Sequence, residues 1–497
     1  MARMQRRHLL KTAMGFGIGA SALRLGWAQP ALESVQAWRA LSRLGYGPNP
    51  ELLADLQVAG GARQWALAQV DAAFDASQQA PRIAPDMADF HQPLPQLFEG
   101  VQQERLARAK IKVDGDKPEL EVRRFDFSGD RDPLNFSRLV SQQAVAWRLH
   151  ASSRPSVEVP LLARMTEFWF NHLNVYAGKG AVRPFVGHYT IDVARAHALG
   201  KFEDLVLASA RHPAMLYYLD QVRSVADGSP GDQGGARGLN ENYARELMEL
   251  HTLGVDGGYA QRDVRELARV LTGWTVAPKL ETGFRFAGRL HDAGAKQLLG
   301  LSIPGAGIAA GEEEGRAAIR MLARHPSTAR RVSLRLAQFF VCDQPPAALL
   351  AQLNQTFLDS QGDLRAVMRT LIGSEDFWAG KNRLFKTPMD FACSVLCATR
   401  GAPERRNLVL ATGFLAGAGQ PLHGWQTPDG YKTDAATWLV PEALTRRADF
   451  ALAVARQIPE LEFLQPFFSA ATRDALAAES PGLRAGLALA SPDFMAK

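Results

Sequence analysis

Residues 240–274 read NENYARELMELHTLGVDGGYAQRDVRELARVLTGW, and this stretch decides the fold class. Apolar side chains recur every three or four positions, so that Tyr243 and Leu247 share one predicted helix face. Asn240 is a favourable N-cap residue, since its side chain can accept from a free backbone amide. The pattern predicts a helix over 240–253 and, after a glycine turn, a second helix.

The rest of the chain repeats this helical pattern. Apolar residues recur at helical spacing in, for example, 322–340, 364–372 and 444–458. Alternating runs of β-branched residues are scarce, and the clearest strand candidates are 120–127 and 283–286. We therefore predict a mainly α fold, a multi-helical single lobe with long irregular loops and at most a few short strands.

Composition divides the chain into three predicted segments. Residues 1–28 form a leader, 29–134 a helical lead-in with an irregular insertion rich in proline and charge, and 135–497 the helical core. Within the core, the segments that begin at Gly200 and Gly362 resemble each other, and each leads to a second short helix. This similarity indicates either a degenerate helix-pair repeat or a coincidence.

The leader carries five basic residues and no acidic one. Arg6-Arg7-His-Leu-Leu-Lys11 resembles a twin-arginine export signal, and Gly26-Trp27-Ala28 suits signal peptidase. The intervening apolar region is shorter than the ~20 residues that a spanning helix needs. An ordinary secretory leader is the alternative. We expect export to the periplasm in the folded state, and no transmembrane segment after the leader is removed.

Charge and cysteine content exclude several classes of protein. The chain has 57 basic and 51 acidic residues, and removing the leader leaves 52 against 51. A nearly neutral mature chain offers no basic field for nucleic acid. Three cysteines in 497 residues argue against a disulfide framework. We expect Cys393 and Cys397 to be small buried hydrophobic residues.

A dense polar face follows the predicted helix at 240–253. Asn242, Glu246 and Glu249 share this face, and Arg245 lies four residues from both Glu241 and Glu249. One interpretation is an exposed face with two ion pairs, each worth ~0.3–0.5 kcal/mol. The other is a polar cluster that lines a cleft. Asparagine is a poor helix former and the face lacks lysine, which favours the cleft.

A second polar motif, EFWFNH, covers residues 167–172. Glu167 and Asn171 share one face, whereas His172 lies on the adjacent face. Because Glu167 and His172 are five residues apart, one helix cannot present both to a single metal ion. A metal site would need other ligands such as Glu246 or His251. A bound metal is therefore one hypothesis, and histidines with a purely structural role are the alternative.

These motifs give a set of candidate site residues. In this hypothesis a glutamate serves as acid, base or ligand, and an arginine holds an anion. The catalytic candidates are Glu167, His172, Arg245, Glu246 and Glu249. The candidate metal ligands are His172, Glu246 and His251, for a divalent metal, and other cofactors are unknown. The candidate substrate-binding residues are Asn171, Asn240, Asn242, Trp274 and His291. A core role for Trp274 and a loop-turn role for the His291–Asp292 pair are the alternatives.

Several of these stretches together resemble one protein family. The segments MTEFWFNHLNV, NENYARELMELHTLGV, DVRELARVLTGW and HPSTARRVSLRLAQFFV, in this order, are similar to the DUF1800 family. The resemblance implies an exported bacterial protein, often encoded beside a second exported protein of the DUF1501 family. The family name records that its function is unknown.

Two functional hypotheses follow. The first is an enzyme, a hydrolase or lyase that acts on a polysaccharide or another envelope component and whose cleft joins the two polar helices. The second is a non-enzymatic helical partner or chaperone subunit of a co-exported DUF1501-type protein.

Overall fold

The computed structural model describes residues 32–114, 133–230, 236–305, 310–458 and 460–497, and helices dominate these ranges. Up to residue 270 the α-helices are α1 (Leu32–Arg43), α2 (Pro50–Val58), α3 (Ala62–Ser77), α4 (Leu94–Asp114), α5 (Phe136–Ser153), α6 (Pro160–His172), α7 (Val186–Tyr189), α8 (Phe202–Arg211), α9 (Pro213–Tyr218), α10 (Asn242–Glu246) and α11 (Gln261–Val270). Two π-helical segments, Thr190–Arg195 and Leu247–His251, extend α7 and α10.

The remaining α-helices follow after residue 310. They are α12 (Gly311–Ala323), α13 (Pro326–Phe340), α14 (Ala347–Asp359), α15 (Leu364–Gly373), α16 (Glu375–Trp378), α17 (Pro388–Thr399), α18 (Arg405–Gly417), α19 (Ala435–Trp438), α20 (Pro441–Val454), α21 (Ala470–Ala477), α22 (Pro481–Leu489) and α23 (Pro492–Met495). Short 3₁₀ turns, such as Pro85–His91 and Glu462–Phe467, connect some of the helices. The prediction of a mainly α fold is confirmed.

The described residues contain three antiparallel pairs of short strands. These pairs are β1 (Ser229–Pro230) with β2 (Ala236–Arg237), β3 (Trp274–Val276) with β4 (Phe284–Phe286), and β5 (Lys296–Leu298) with β6 (Leu301–Ile303). In the second pair Trp274 lies opposite Phe286. The predicted strand at 283–286 is confirmed, whereas the one predicted at 120–127 and the leader at 1–28 lie outside the described residues.

Two helices begin at a histidine–proline pair. Proline occupies the first turn, where a missing amide hydrogen costs nothing. The preceding imidazole also caps the helix, because Nδ1 of His212 accepts from the Ala214 amide and Nδ1 of His325 from the Ser327 amide, each over 3.1 Å. A proline and an imidazole cap therefore act together at the start of each of these helices.

The two similar segments at Gly200 and Gly362 lie side by side. The Phe202 amide donates to the Gly362 carbonyl over 2.9 Å, and the Leu364 amide donates to the Gly200 carbonyl over 3.0 Å. Each segment then enters a helix pair, α8–α9 in one case and α15–α16 in the other. This reciprocal pairing favours a helix-pair repeat over coincidence.

Buried apolar side chains from Ala37 to Met495 form one continuous core. Helix α3 of the N-terminal region packs against both α6 and α15, so the lead-in is part of this core. Cys393 and Cys397 are buried with free thiols, as predicted. Within the described ranges, every helix is too short or too polar to traverse a lipid bilayer.

Close packing of Gly315 in α12 against Trp274 gives a stability test. A Cβ atom on Gly315 would lie 2.3 Å from the indole ring, so we expect Gly315→Ala to lower the free energy of unfolding by about 1–3 kcal/mol. Gly413 in α18 is the control, since a Cβ there meets no atom within 4 Å. Gly413→Ala should be neutral or stabilising by up to ~1 kcal/mol. Urea unfolding followed by circular dichroism measures both, and equal effects would contradict the packing argument.

Candidate functional site

Helix α6 places Glu167 in a buried network of charges. Its Oε2 atom accepts from the Tyr46 hydroxyl over 2.6 Å and from the Arg164 guanidinium over 2.8 Å. Arg164 also donates to Asp390, whose second oxygen accepts from the Lys497 ammonium. Burial and the charge of Glu167 raise the pKa of Tyr46, so its hydroxyl remains a donor. Glu167 is therefore fixed through one oxygen, and its Oε1 atom makes no hydrogen bond to a described residue.

A small cavity of about 30 Å³ lies beside Glu167. It has room for about two water molecules. Polar side chains from four parts of the chain contribute to its lining, namely Arg148, Glu167, Asn171, Asn174, Thr387, Gln420, His423, Tyr431 and Thr433. The structure thus brings Glu167 and Asn171 together, as the sequence predicted, and adds partners from α5 and from the loop after α18.

Two asparagines hold the loop of residues 421–434 against α6. The Asn171 side chain accepts from the Tyr431 amide over 2.7 Å and donates to the Tyr431 carbonyl over 2.9 Å. Asn174 donates to the carbonyls of Trp425 and Thr427, over 3.1 and 2.8 Å. Both the oxygen and the NH₂ group of the Asn171 side chain therefore bind this loop. In this structure Asn171, a predicted substrate-binding residue, positions the loop beside the cavity.

The second polar helix differs from the prediction in its geometry. The continuous α-helix predicted over 240–253 is an α-helix only over Asn242–Glu246 and continues as a π-helix over Leu247–His251. A π segment inserts a residue into the helical repeat and often marks a functional site. Arg245 lies 3.3 Å from Glu241 and 3.5 Å from Glu249, so the two expected ion pairs are present on a half-buried face.

Glu246 and Asp429 are carboxyl groups with opposite pKa shifts, and the charge of Asp429 acts on Glu246. Burial raises the pKa of Glu246, and the charges of Glu249 and Asp429 add to this rise against Arg245. Burial would also raise the pKa of Asp429, but hydrogen bonds from Thr427 and Trp425 outweigh it and lower this pKa. Carboxyl groups with diverging pKa values are typical of acid–base sites.

Tyrosine and arginine side chains surround these two carboxyl groups. Burial raises the pKa of Tyr218, and the charges of Glu246 and Asp429 raise it further. The Tyr218 hydroxyl donates to the Gln426 carbonyl over 2.8 Å. Burial and a hydrogen bond with Glu249 raise the pKa of Tyr259 to about 12. From α13, Arg335 interacts electrostatically with Asp429.

His172 and His251 lie against each other in an apolar environment. Nε2 of His172 donates to the His251 carbonyl over 3.0 Å, and its ring packs on Phe168 and Trp169. Burial and then the charge of Arg331 lower the pKa of both histidines, that of His251 to about 3. Both imidazoles are therefore neutral at physiological pH.

The remaining candidates lie in local structural contacts. Asn240 Oδ1 accepts from the Asn242 amide over 2.9 Å, and Asn242 donates to the Leu219 carbonyl over 3.3 Å. Trp274 is fully buried against Gly315. His291 is buried beside Thr272, away from the residues around Glu246, and its Nε2 lies 3.4 Å from a Glu314 oxygen.

Within the described ranges, no group of three or more His, Cys, Asp or Glu side chains is arranged to hold a metal ion. His172, Glu246 and His251 do not form such a group, because the imidazoles are buried in the core whereas Glu246 lies on a half-buried face. Sequence reasoning missed Arg148, His423, Arg335 and Asp429 as site residues.

The buried neutral histidines make stability depend on pH. A folded-state pKa of about 3 for His251 lies below the unfolded value of ~6.5, so the unfolded chain binds more protons between these values. Stability is therefore full above pH 6.5 and falls as the pH decreases towards 3. From pH 7 to pH 5, we expect His251 alone to account for a loss of about 2 kcal/mol.

Urea unfolding at pH 7, 6 and 5 measures this dependence. The His251→Gln variant should lose part of the pH slope of the wild type, whatever its stability at pH 7. Parallel pH profiles of the two proteins would contradict the assignment.

Comparison with known proteins agrees with the motifs. The family model for DUF1800, described as a protein of unknown function, matches residues 39–496. No curated protein and no solved structure gives a significant match. Because the matched range includes α6, α10 and the loop of residues 421–434, every element of the candidate site lies within it. The chain belongs to the DUF1800 family.

Proposed function

We propose that this chain is an exported enzyme that cleaves a polysaccharide or another envelope component by acid–base chemistry. The observation that carries the proposal is that Asp429 acts electrostatically on Glu246 while the pKa values of the two carboxyl groups shift in opposite directions. Glu246 keeps its proton at a higher pH and acts as the acid. Asp429 stays ionised and acts as the base.

The surroundings of the pair support this chemistry. In a hydrolase the acid protonates the leaving oxygen while the base activates water, and in a lyase the base removes a carbon-bound proton. Trp425 donates to Asp429 over 2.9 Å and its ring lies 4.8 Å from that of Tyr431, which gives an aromatic surface beside the base. Arg335, near Asp429, is better placed than Arg245 to hold an anionic group, since Arg245 is paired with two glutamates.

Activity against an extracted envelope polysaccharide fraction tests the proposal. New reducing ends without an unsaturated product indicate a hydrolase, whereas an ultraviolet-absorbing unsaturated product indicates a lyase. We expect Glu246→Gln and Asp429→Asn to reduce turnover by about 10²–10⁴-fold, because each removes one proton-transfer group. Glu241→Gln is the matched control, since Glu241 pairs with the same Arg245 but has no proposed role in proton transfer.

Circular dichroism and thermal unfolding establish that each variant is folded. A folded Glu246→Gln protein with wild-type turnover would refute the acid role. Unfolding of this variant would instead make Glu246 a structural residue, and the cleft interpretation would fail.

The proposed location rests on the leader, which lies outside the described residues. Arg6 and Arg7 match the paired arginines of a twin-arginine signal, which exports folded proteins. We expect an Arg6→Lys, Arg7→Lys double variant to remain in the cytoplasm, because that route recognises the pair. Immunoblots of periplasmic and cytoplasmic fractions measure this, and undiminished export would indicate the ordinary secretory route.

A docking role beside a DUF1501-type protein is the second proposal. The adjacent apolar residues Leu439 and Val440 are 54% and 42% exposed, which suits a contact with another protein. The Glu246→Gln variant separates the two proposals, because docking should survive this change. Failure to recover the co-expressed neighbour with the wild-type chain from periplasmic extract would count against docking.

A further inference from the structure

The cavity beside Glu167 is lined by the guanidinium of Arg148, which donates no hydrogen bond to a described residue. Arg148 on α5 is 6% exposed, and its guanidinium lies 4.8 Å from the centre of the Phe170 ring. No carboxylate or carbonyl oxygen of the described residues accepts a hydrogen bond from it. A guanidinium removed from water is strongly destabilised unless an acceptor replaces the lost hydration.

The nearby carboxylates already have other cations as partners. Glu167 binds Arg164, and Asp390 binds both Arg164 and Lys497. Lys386 and Arg447 are also buried near Asp390, so buried cationic side chains outnumber these two carboxylates. The charge of Glu167 acts on Arg148, but neither carboxylate accepts a hydrogen bond from the Arg148 guanidinium.

Two further side chains that line this cavity have polar groups without a hydrogen-bond partner among the described residues. His423 is 2% exposed, and neither of its ring nitrogens has a hydrogen-bond partner among the described residues. Its backbone has a φ of 58°, a conformation that few residues other than glycine adopt. Gln420 uses its amide oxygen to accept from the Met389 amide over 2.8 Å, which leaves its NH₂ group free to donate.

We propose that this cavity binds a small carboxylate monoanion, held by the Arg148 guanidinium and the Gln420 amide. The volume of about 30 Å³ suits a group as small as a carboxylate. A carboxylate matches the planar fork of donors on arginine. This site is distinct from Glu246 and Asp429 and does not depend on the proposed activity.

Isothermal titration calorimetry with the full mature chain tests the proposal. Sodium formate, acetate and glucuronate are titrated at constant ionic strength set with sodium chloride, and sulfate serves as an anion of the wrong shape and charge. Binding of formate or acetate identifies a free small anion, whereas binding of glucuronate alone identifies a carboxylate carried by a sugar. Either result supports a carboxylate site, and heat with sulfate alone overturns it.

Three variants locate the binding. Arg148→Met keeps the length of the side chain without its charge, and we expect at least ~30-fold weaker binding. Gln420→Glu places a carboxylate inside the cavity beside Arg148, so this variant should not bind an external anion. Arg365→Met is the matched control, because Arg365 also lies over an aromatic ring, 3.9 Å from the centre of Phe74, but away from the cavity.

The two cavity variants make the test robust to misfolding. If Arg148→Met does not fold, Gln420→Glu still places an acceptor for the Arg148 guanidinium in the cavity and should raise the Tm. Equal affinity in wild type and Gln420→Glu, or no binding of any carboxylate to the wild type, overturns the proposal. Neither readout requires turnover, so failure here leaves the acid–base proposal standing, and the reverse also holds.

Discussion

Arg164 is the residue on which the rest of the interior depends. Its side chain has no solvent exposure and joins Glu167 of its own helix to Asp390 of α17. Burial alone would lower its pKa, but the charges of Asp390 and Glu167 raise it, so the guanidinium stays ionised. Removing one member of such a buried network leaves uncompensated charge and typically costs about 3–5 kcal/mol. The packing of α6 against the C-terminal half is therefore electrostatic as well as apolar.

Helix α6 directs neighbouring polar residues to different parts of the fold. Glu167 faces the charge network, Asn171 holds the loop of residues 421–434, and His172 contacts the π-helical segment. This distribution explains why so many polar side chains share one short helix. They serve as tertiary contacts that position both the cavity and the surface around Glu246.

Sequence patterns predicted the helices well, because apolar periodicity reports which face meets the core. They also predicted that α6 cannot present both Glu167 and His172 to a single metal ion, since residues five apart point in different directions. Arg148 could not be recognised, because an arginine in an amphipathic helix has the same pattern whether its guanidinium meets water or a cavity. The π segment at Leu247–His251 was missed because a single inserted residue shifts the apolar spacing too little to be recognised within so short a helix.

The asparagine contacts to the loop of residues 421–434 have a consequence for how the molecule responds to ligands. His423 and Tyr431 of this loop line the cavity, and Asp429, between them in sequence, acts on Glu246. Asn171 in α6 and Asn174 just after it bind four backbone groups of the loop, so the same segment connects the cavity with Asp429. Thermodynamic linkage is reciprocal. A ligand in the cavity that repositions the loop therefore changes the affinity for a second ligand beside Asp429 by some factor. The second ligand then changes the affinity of the cavity for the first by the same factor.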